Sequence, residues 1–278
     1  MEKITYTNSL GDSLTFDYTG EYILTDFTGM AAADVSPATT AGYKQHGETL
    51  NDVVLGIRVM TLNILLYGNR YEKKRNLDRL FNPLYGEGTL IYTNDYQSKM
   101  IKCIATVPPQ ITKREGRLFI TEVELTAHNP FFYDVAENAI KMDDFTGGLK
   151  FPWATPYIKF AQKGDISHIT NTGDYLTPVR AEFRGDAINP CLTLDTTGEY
   201  IKVATTLDVG EKLWINTEYG NKTVQKEAAN GTLTSAYNLI DIHSSFFSLP
   251  VGESKLSFSS DGGQPEVYLY WRNRYLGV

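Results

Sequence analysis

A single stretch, Val53–Leu84 (VVLGIRVMTLNILLYGNRYEKKRNLDRLFNPL), narrows the folds open to this chain. It begins with Val53, Val54, Leu55, Ile57 and Val59 and continues through Leu62, Ile64, Leu65 and Leu66. An apolar, β-branched run of this kind predicts a buried strand rather than a surface helix. Gly68 and Asn69 interrupt it, and from about Tyr71 the period changes. Leu77, Leu80, Phe81 and Leu84 recur at the spacing of one helix face, while Glu72, Lys73, Lys74, Arg75, Asp78 and Arg79 fill the other. Pro83 cannot continue a helix, so the spacing predicts a single helix over about 71–82. A lone amphipathic helix in a strand-rich chain must lay its apolar stripe on a sheet, so this unit is expected to plug the core of a first domain.

The flanking sequence reads as strands. Residues 1–28 alternate (Ile4, Tyr6; Leu14, Phe16, Tyr18; Tyr22, Ile23, Leu24) around Gly11-Asp12 and Gly20, the pattern of short hairpins. Residues 29–51 are small and polar, cannot build much core, and are long for a plain connection, so they are expected to form a projecting arm or a mobile loop. Strands are predicted at 89–93, 99–107 and 117–126, and the aromatic segment Asn129–Asp134 closes the domain. The polar run Lys141–Asp144, Gly147-Gly148 and the Pro152/Pro156 pair mark a linker. The expected organisation is therefore a first domain over 1–138, a linker over 139–156 and a second domain over 157–278. The second domain shows many short alternating strands and no helical period, which argues for a sandwich or jelly roll.

Charge and chemistry exclude several classes. The net charge of −7 lacks the basic stripe a nucleic-acid partner requires. No run approaches about eighteen apolar residues, so no membrane insertion is expected. The first residues carry no secretory h-region, which leads us to expect synthesis in a reducing cytoplasm. Cys103 and Cys191 lie in separate apolar runs and read as core residues rather than a disulfide. His46, His128, His168 and His243 are scattered, and no metal-ligand spacing, phosphate loop or nucleophile elbow occurs. No catalytic residue, metal or cofactor is expected. Trp214, in Lys212–Asn216, faces away from Leu213 and Ile215; it either packs against neighbours or contacts a ligand, and a carbohydrate-stacking role stays open at this point.

Several of these stretches together resemble one family. Ile64–Gly68 with Arg79–Pro83, the closer Asn129–Asp134, the segment Phe246–Leu256 and the ending Trp271–Val278 resemble the distal tail proteins (Dit) of siphophages. Pro250-Val251-Gly252 departs from the family's Pro-Gly turn by one inserted residue. The resemblance implies a mainly β chain with an N-terminal split-barrel-like domain carrying one α-helix and a C-terminal galectin-like jelly-roll β-sandwich. It implies a structural virion protein at the phage tail tip. Its copies would form a ring, usually a homo-hexamer, joining the tail tube protein to the tail-tip protein and to receptor-binding or baseplate proteins. The alternative is a carbohydrate-binding host-adhesion module, which would use Trp214. Within the arm, Ala32, Asp34, Tyr43 and His46 are the expected subunit contacts, because small residues unable to bury themselves suit a heterologous interface.

Overall fold

The computed structural model describes residues 2–31, 33–142 and 167–278, and the backbone alone at 162–163. Ala32, Trp153, the linker residues 143–156 and the expected strand at 157–161 lie outside the described residues. The chain forms two compact units, Met1–Val135 with Tyr275–Val278, and Ala136–Arg274. The second unit is thus inserted into the first, between Val135 and Tyr275.

The first unit contains β1 (Lys3–Thr7), β2 (Ser13–Asp17), β3 (Ile23–Thr28), β4 (Val35–Thr40), β5 (Thr49–Leu55), β6 (Arg58–Leu66), α1 (Arg70–Leu80), β7 (Gly88–Thr93), β8 (Ser98–Glu115), β9 (Leu118–Ala127) and β10 (Phe132–Asp134). The order β8-β7-β1-β2-β3-β6-β9 closes on itself because β9 also pairs with β8. Closure makes a barrel of these strands and removes their open edges. Along β6, Arg58, Met60, Leu62, Ile64 and Leu66 all point inward. Opposite them on β9 stand Leu125 against Met60, Val123 against Leu62 and Phe119 against Leu66.

Helix α1 covers this core with Leu77 and Leu80, and Phe81 at its C-cap stacks 4.6 Å from the Tyr6 ring and 5.9 Å from that of Phe16. Two details of the expected helix change. Leu84 is 89% exposed, because the helix ends at Leu80 and Asn82 caps a separate 3-10 turn, Pro83–Tyr85. Lys73, assigned to the polar face, is buried: its Nζ donates to the Glu21 carbonyl at 2.9 Å and lies 4.4 Å from the Tyr67 ring centre. Lysine achieves this by burying its stem while its ammonium finds a carbonyl and an aromatic face.

The apolar run that opened the sequence argument also divides. Val53–Leu55 belongs to β5, whose residues are exposed apart from half-buried Leu55, and only from Arg58 does the strand enter the barrel wall. β4 and β5 pair with each other, Val35 opposite Leu55 through Thr40 opposite Thr49, in a two-stranded sheet of their own.

The second unit begins earlier than the expected linker allowed. β11 (Asn138–Met142) is zipped along a late strand of this unit, Asn138 opposite Trp271 and Met142 opposite Val267. Then follow β12 (Gln162–Lys163), β13 (Ser167–Asn171), β14 (Thr177–Arg184), β15 (Ala187–Ile188), β16 (Cys191–Leu194), β17 (Glu199–Lys202), β18 (Thr206–Leu207), β19 (Lys212–Asn216) and β20 (Thr223–Glu227). The last of this unit are β21 (Leu233–Ser235), β22 (Ser248–Leu249), β23 (Gly252–Ser260), β24 (Gly262–Gly263) and β25 (Glu266–Trp271), after which β26 (Arg274–Tyr275) joins the first unit's sheet beside β10. One sheet runs β11-β25-β14-β19-β20-β21 and the other β12-β23-β16-β17 with β13 on β23, the two layers of a β-sandwich. Its core includes Ala181, Phe183, Leu213, Ile215, Leu192, Phe258 and Leu269. Cys103 and Cys191 are free thiols in separate units, and burial pushes both up in pKa.

Candidate functional site

The β4–β5 arm leaves apolar side chains and the outer edges of its two strands without cover. Opposed residues of an antiparallel pair share a face. Val35 with Leu55 and Pro37 with Val53 therefore line one side, and Thr39 with Leu50 continue it beyond the register shift at Ala38/Thr39. Val35, Leu50 and Val53 are 58%, 59% and 49% exposed. Pro37 is tolerated because each arm strand has an open outer edge. The arm also carries Asp34, Glu48 and Asp52 against Lys44, so the segment is mildly acidic.

The residues expected to make subunit contacts fall at opposite ends of this arm. Tyr43, 94% exposed, and His46 occupy the tip turn. There the Gly42 N–H donates to Gln45 Oε1 at 2.9 Å, the Gln45 N–H donates to the Gly42 carbonyl at 3.1 Å, and Lys44 takes the left-handed conformation at φ 60°. Asp34 lies at the root, where its carbonyl accepts the Gly56 N–H at 2.8 Å and closes the base of the hairpin. The tip pair and Asp34 thus do not form one cluster.

Beneath the root sits a residue that periodicity should have flagged. Arg58 is 1% exposed, and its guanidinium donates to three backbone carbonyls: Nε to Pro130 at 2.8 Å, Nη1 to Gly29 at 2.8 Å and Nη2 to Leu276. The group also lies 4.8 Å from the Phe132 ring centre. Burial lowers its pKa. The signal available in the sequence was parity, since Arg58 stands two residues before Met60, in step with the inward positions of β6.

In the second unit, Leu213 and Ile215 enter the core while Trp214 points to the other face of its sheet, as their alternation predicts. There its indole N–H donates to Glu227 Oε2 at 2.7 Å, its ring stacks on Tyr270 with centroids 6.5 Å apart, and Arg180 lies 5.6 Å from it. At the centre of the same face, Glu182 accepts from Tyr270 Oη at 2.9 Å and from Arg184 at 2.7 Å, and Lys212 stands 3.6 Å from its other oxygen. Trp214 is therefore tied into a network of protein side chains. Among the described residues, no group of three or more His, Cys, Asp or Glu side chains is placed to hold a metal ion, and no helix is long and apolar enough to cross a membrane.

The fold has counterparts among phage proteins of known structure. Residues 172–275 match the family model described as siphovirus-type tail component, C-terminal domain. The crystal structure of the SPP1 Dit (gp 19.1) protein, described as a paradigm of the hub adsorption apparatus in Gram-positive-infecting phages, matches with a TM-score of 0.71 at 12% identity, over 98% of this chain and 99% of that one. A chain of the phage P2 baseplate in its activated conformation with Ca matches at 0.54 and 15% identity, over 98% and 97% of the two chains. The p2 baseplate with Sr matches at 0.53 and 14% identity, over 97% and 98%. The comparison with curated proteins returned no match. Within the second unit, residues 172–274 are therefore similar to a siphovirus-type tail component C-terminal domain. The fold of the whole chain is that of a siphovirus distal tail protein.

Proposed function

We propose that this chain is a structural hub of a siphovirus tail tip, whose copies close into a ring, six in number, through the β4–β5 arm. The arm of one copy lies across its neighbour, covering the side lined by Val35, Pro37, Leu50 and Val53, with Tyr43 and His46 reaching furthest and Asp34 nearer the root; Ala32, expected among the contacts, lies outside the described residues. The ring bridges the tail tube to the tail-tip protein and to receptor-binding or baseplate proteins, and its work is assembly rather than catalysis. The observation that carries this reading is the exposed apolar side of the arm: a monomer gains nothing from holding such a surface in water. A stable contact buries on the order of 1,600 Å², which an arm together with barrel surface can supply. The likeness to a protein described as a hub and to chains of a baseplate supports the same reading.

The test removes the arm without opening the barrel. Val35 and Leu55 are cross-strand partners, so replacing residues 36–54 by Asn-Gly closes the hairpin at its base with a two-residue turn. Light scattering behind size exclusion, with negative-stain imaging of the same peak, should show rings for the unaltered chain. The armless variant should be a folded monomer with an unchanged melting temperature. Rings that persist without the arm would overturn the proposal.

A further inference from the structure

Arg58 and residues 275–278 hold the root of the arm from below, and the contacts are unusually specific. The carbonyl of Gly29, where the chain leaves β3 for the arm, and that of Leu276 are both held by the same guanidinium. Its face rests on Phe132, and among the described residues no carboxylate pairs with it. Arginine carries five N–H donors in a rigid fork, so one side chain can fix three carbonyls from distant segments, which lysine cannot.

The backbones themselves touch at the same place. The Val278 N–H donates to the Met30 carbonyl at 3.3 Å. A Cβ on Gly277 would stand 2.0 Å from the Ala31 carbonyl oxygen. A Cβ on Gly29, at φ +81°, would stand 2.1 Å from that of Val59. Only glycine permits either approach. Tyr275 anchors the segment: its hydroxyl donates to Asp134 at 3.1 Å, and Lys99 lies 3.4 Å above its ring and 2.7 Å from the same carboxylate.

We propose that Arg58 and residues 275–278 form a latch that positions the arm. The last residues re-enter the first unit only after the whole inserted unit, so the arm's direction is set by a segment covalently continuous with β25 and β26. The consequence for assembly rests on the arm reading given above; the coupling itself does not. A heterologous contact closes into a ring only at one rotation and otherwise yields open or mixed chains. Loosening the latch should therefore leave the arm able to make contact but spoil the uniformity of the ring.

The coupling can be read with spin labels at Glu48→Cys near the arm tip and Tyr96→Cys on the barrel, both exposed, in a Cys191→Ser background, with the labelled chain diluted into an excess of unlabelled copies so that only distances within one copy are read. The unaltered latch should give one narrow distance distribution. Ending the chain at Tyr275, introducing Gly277→Val, or making Arg58→Lys, which keeps the charge but not the fork, should each broaden it about twofold. Light scattering on the same variants should show a spread of oligomers in place of one ring. An unchanged distribution in all three variants would overturn the proposal, and so would loss of the barrel's thermal transition, which would make the segment a general fold element. A broadened distribution with uniform rings would leave the latch standing and count against the arm as the ring contact.

Discussion

The arm of the first unit and the outer face of the β14–β19 sheet in the second reverse the usual relation between polarity and burial, in opposite directions. On the arm, Val35, Leu50, Val53 and Val54 are exposed. On the sheet face, Glu182 is 0% exposed although it points away from the sandwich core that holds Ala181 and Phe183. Strand alternation says which side chains share a face, and does not say what covers that face. Glu182 is covered by its own neighbours: Arg184 and Tyr270 hydrogen-bond one carboxylate oxygen, and the Lys212 ammonium stands 3.6 Å from the other. The arm's valines have no such neighbours on their strands. One surface is covered within the monomer and the other is not, and the proposed arm contact rests on that contrast.

The largest effect should come from placing a charge on the unfinished surface. Val53→Asp leaves the monomer's stability within about 0.5 kcal/mol, since the site is exposed and far from core features. In a ring the same change loses a buried apolar side chain and buries an unpaired carboxylate, together about 3 kcal/mol or on the order of 100-fold per contact. Analytical ultracentrifugation across a concentration series should show monomer where the unaltered chain forms rings, with superimposable melting curves. Rings at the unaltered concentration would make the arm as finished as the sheet face and remove the contrast.

What could be read from the sequence follows the same division. Leu77, Leu80 and Phe81 were legible because a helix stripe is a local pattern and its cover, the barrel, is obligatory. Leu84 kept the spacing but not the burial, since a spacing rule cannot see that Asn82 caps a new turn. β5 and β6 look like one apolar run, and only Gly56 marks where exposed arm becomes barrel wall; their burial depends on β9 pairing with β6 and not with β5. β11 read as linker because Lys141 is polar, yet Lys141 lies on the solvent side of a strand, paired with Glu266. Asp34, Tyr43 and His46 marked the arm without its apolar side. Arg58 keeps the inward parity of Met60 and Leu62, and parity alone does not tell that a charged side chain will be buried against backbone carbonyls.

The second effect sharpens the comparison from the finished side. Burial pushes the Glu182 carboxyl up, but hydrogen bonds from Arg184 and Tyr270 and the charges of Arg184 and Lys212 hold it below the usual carboxylate range. Glu182→Gln should cost about 2 kcal/mol at neutral pH, the lower end for a charged hydrogen-bonded group because Arg184 and Lys212 are each about a third or more open to water. Calorimetry should place the second unit's transition about 5 °C lower, with ring formation untouched. A carboxylate whose folded pKa is depressed adds stability above its unfolded value, near 4.3, and loses it as pH falls through the folded value. The gap between the two proteins should therefore narrow below about pH 4. A gap that widened in acid would mean that Glu182 is held protonated and the network is not closed by charge.

The smallest effect tests whether the finished face is truly closed. Trp214→Phe keeps a ring against Tyr270 and Arg180 but removes the indole N–H that Glu227 accepts, a loss of about 1 kcal/mol. Glu227 keeps Lys212 within 3.6 Å, so its charge is not stranded and the melting shift should be slight. If the aromatic, cationic and carboxylate groups of this face serve each other, the protein should show no saturable binding on a glycan array or to host cell-wall fragments, before or after the change. Saturable binding abolished by Trp214→Phe would show that the indole is shared with a ligand. The sheet face would then be a second unfinished surface, and host adhesion would belong beside assembly in the account of this chain.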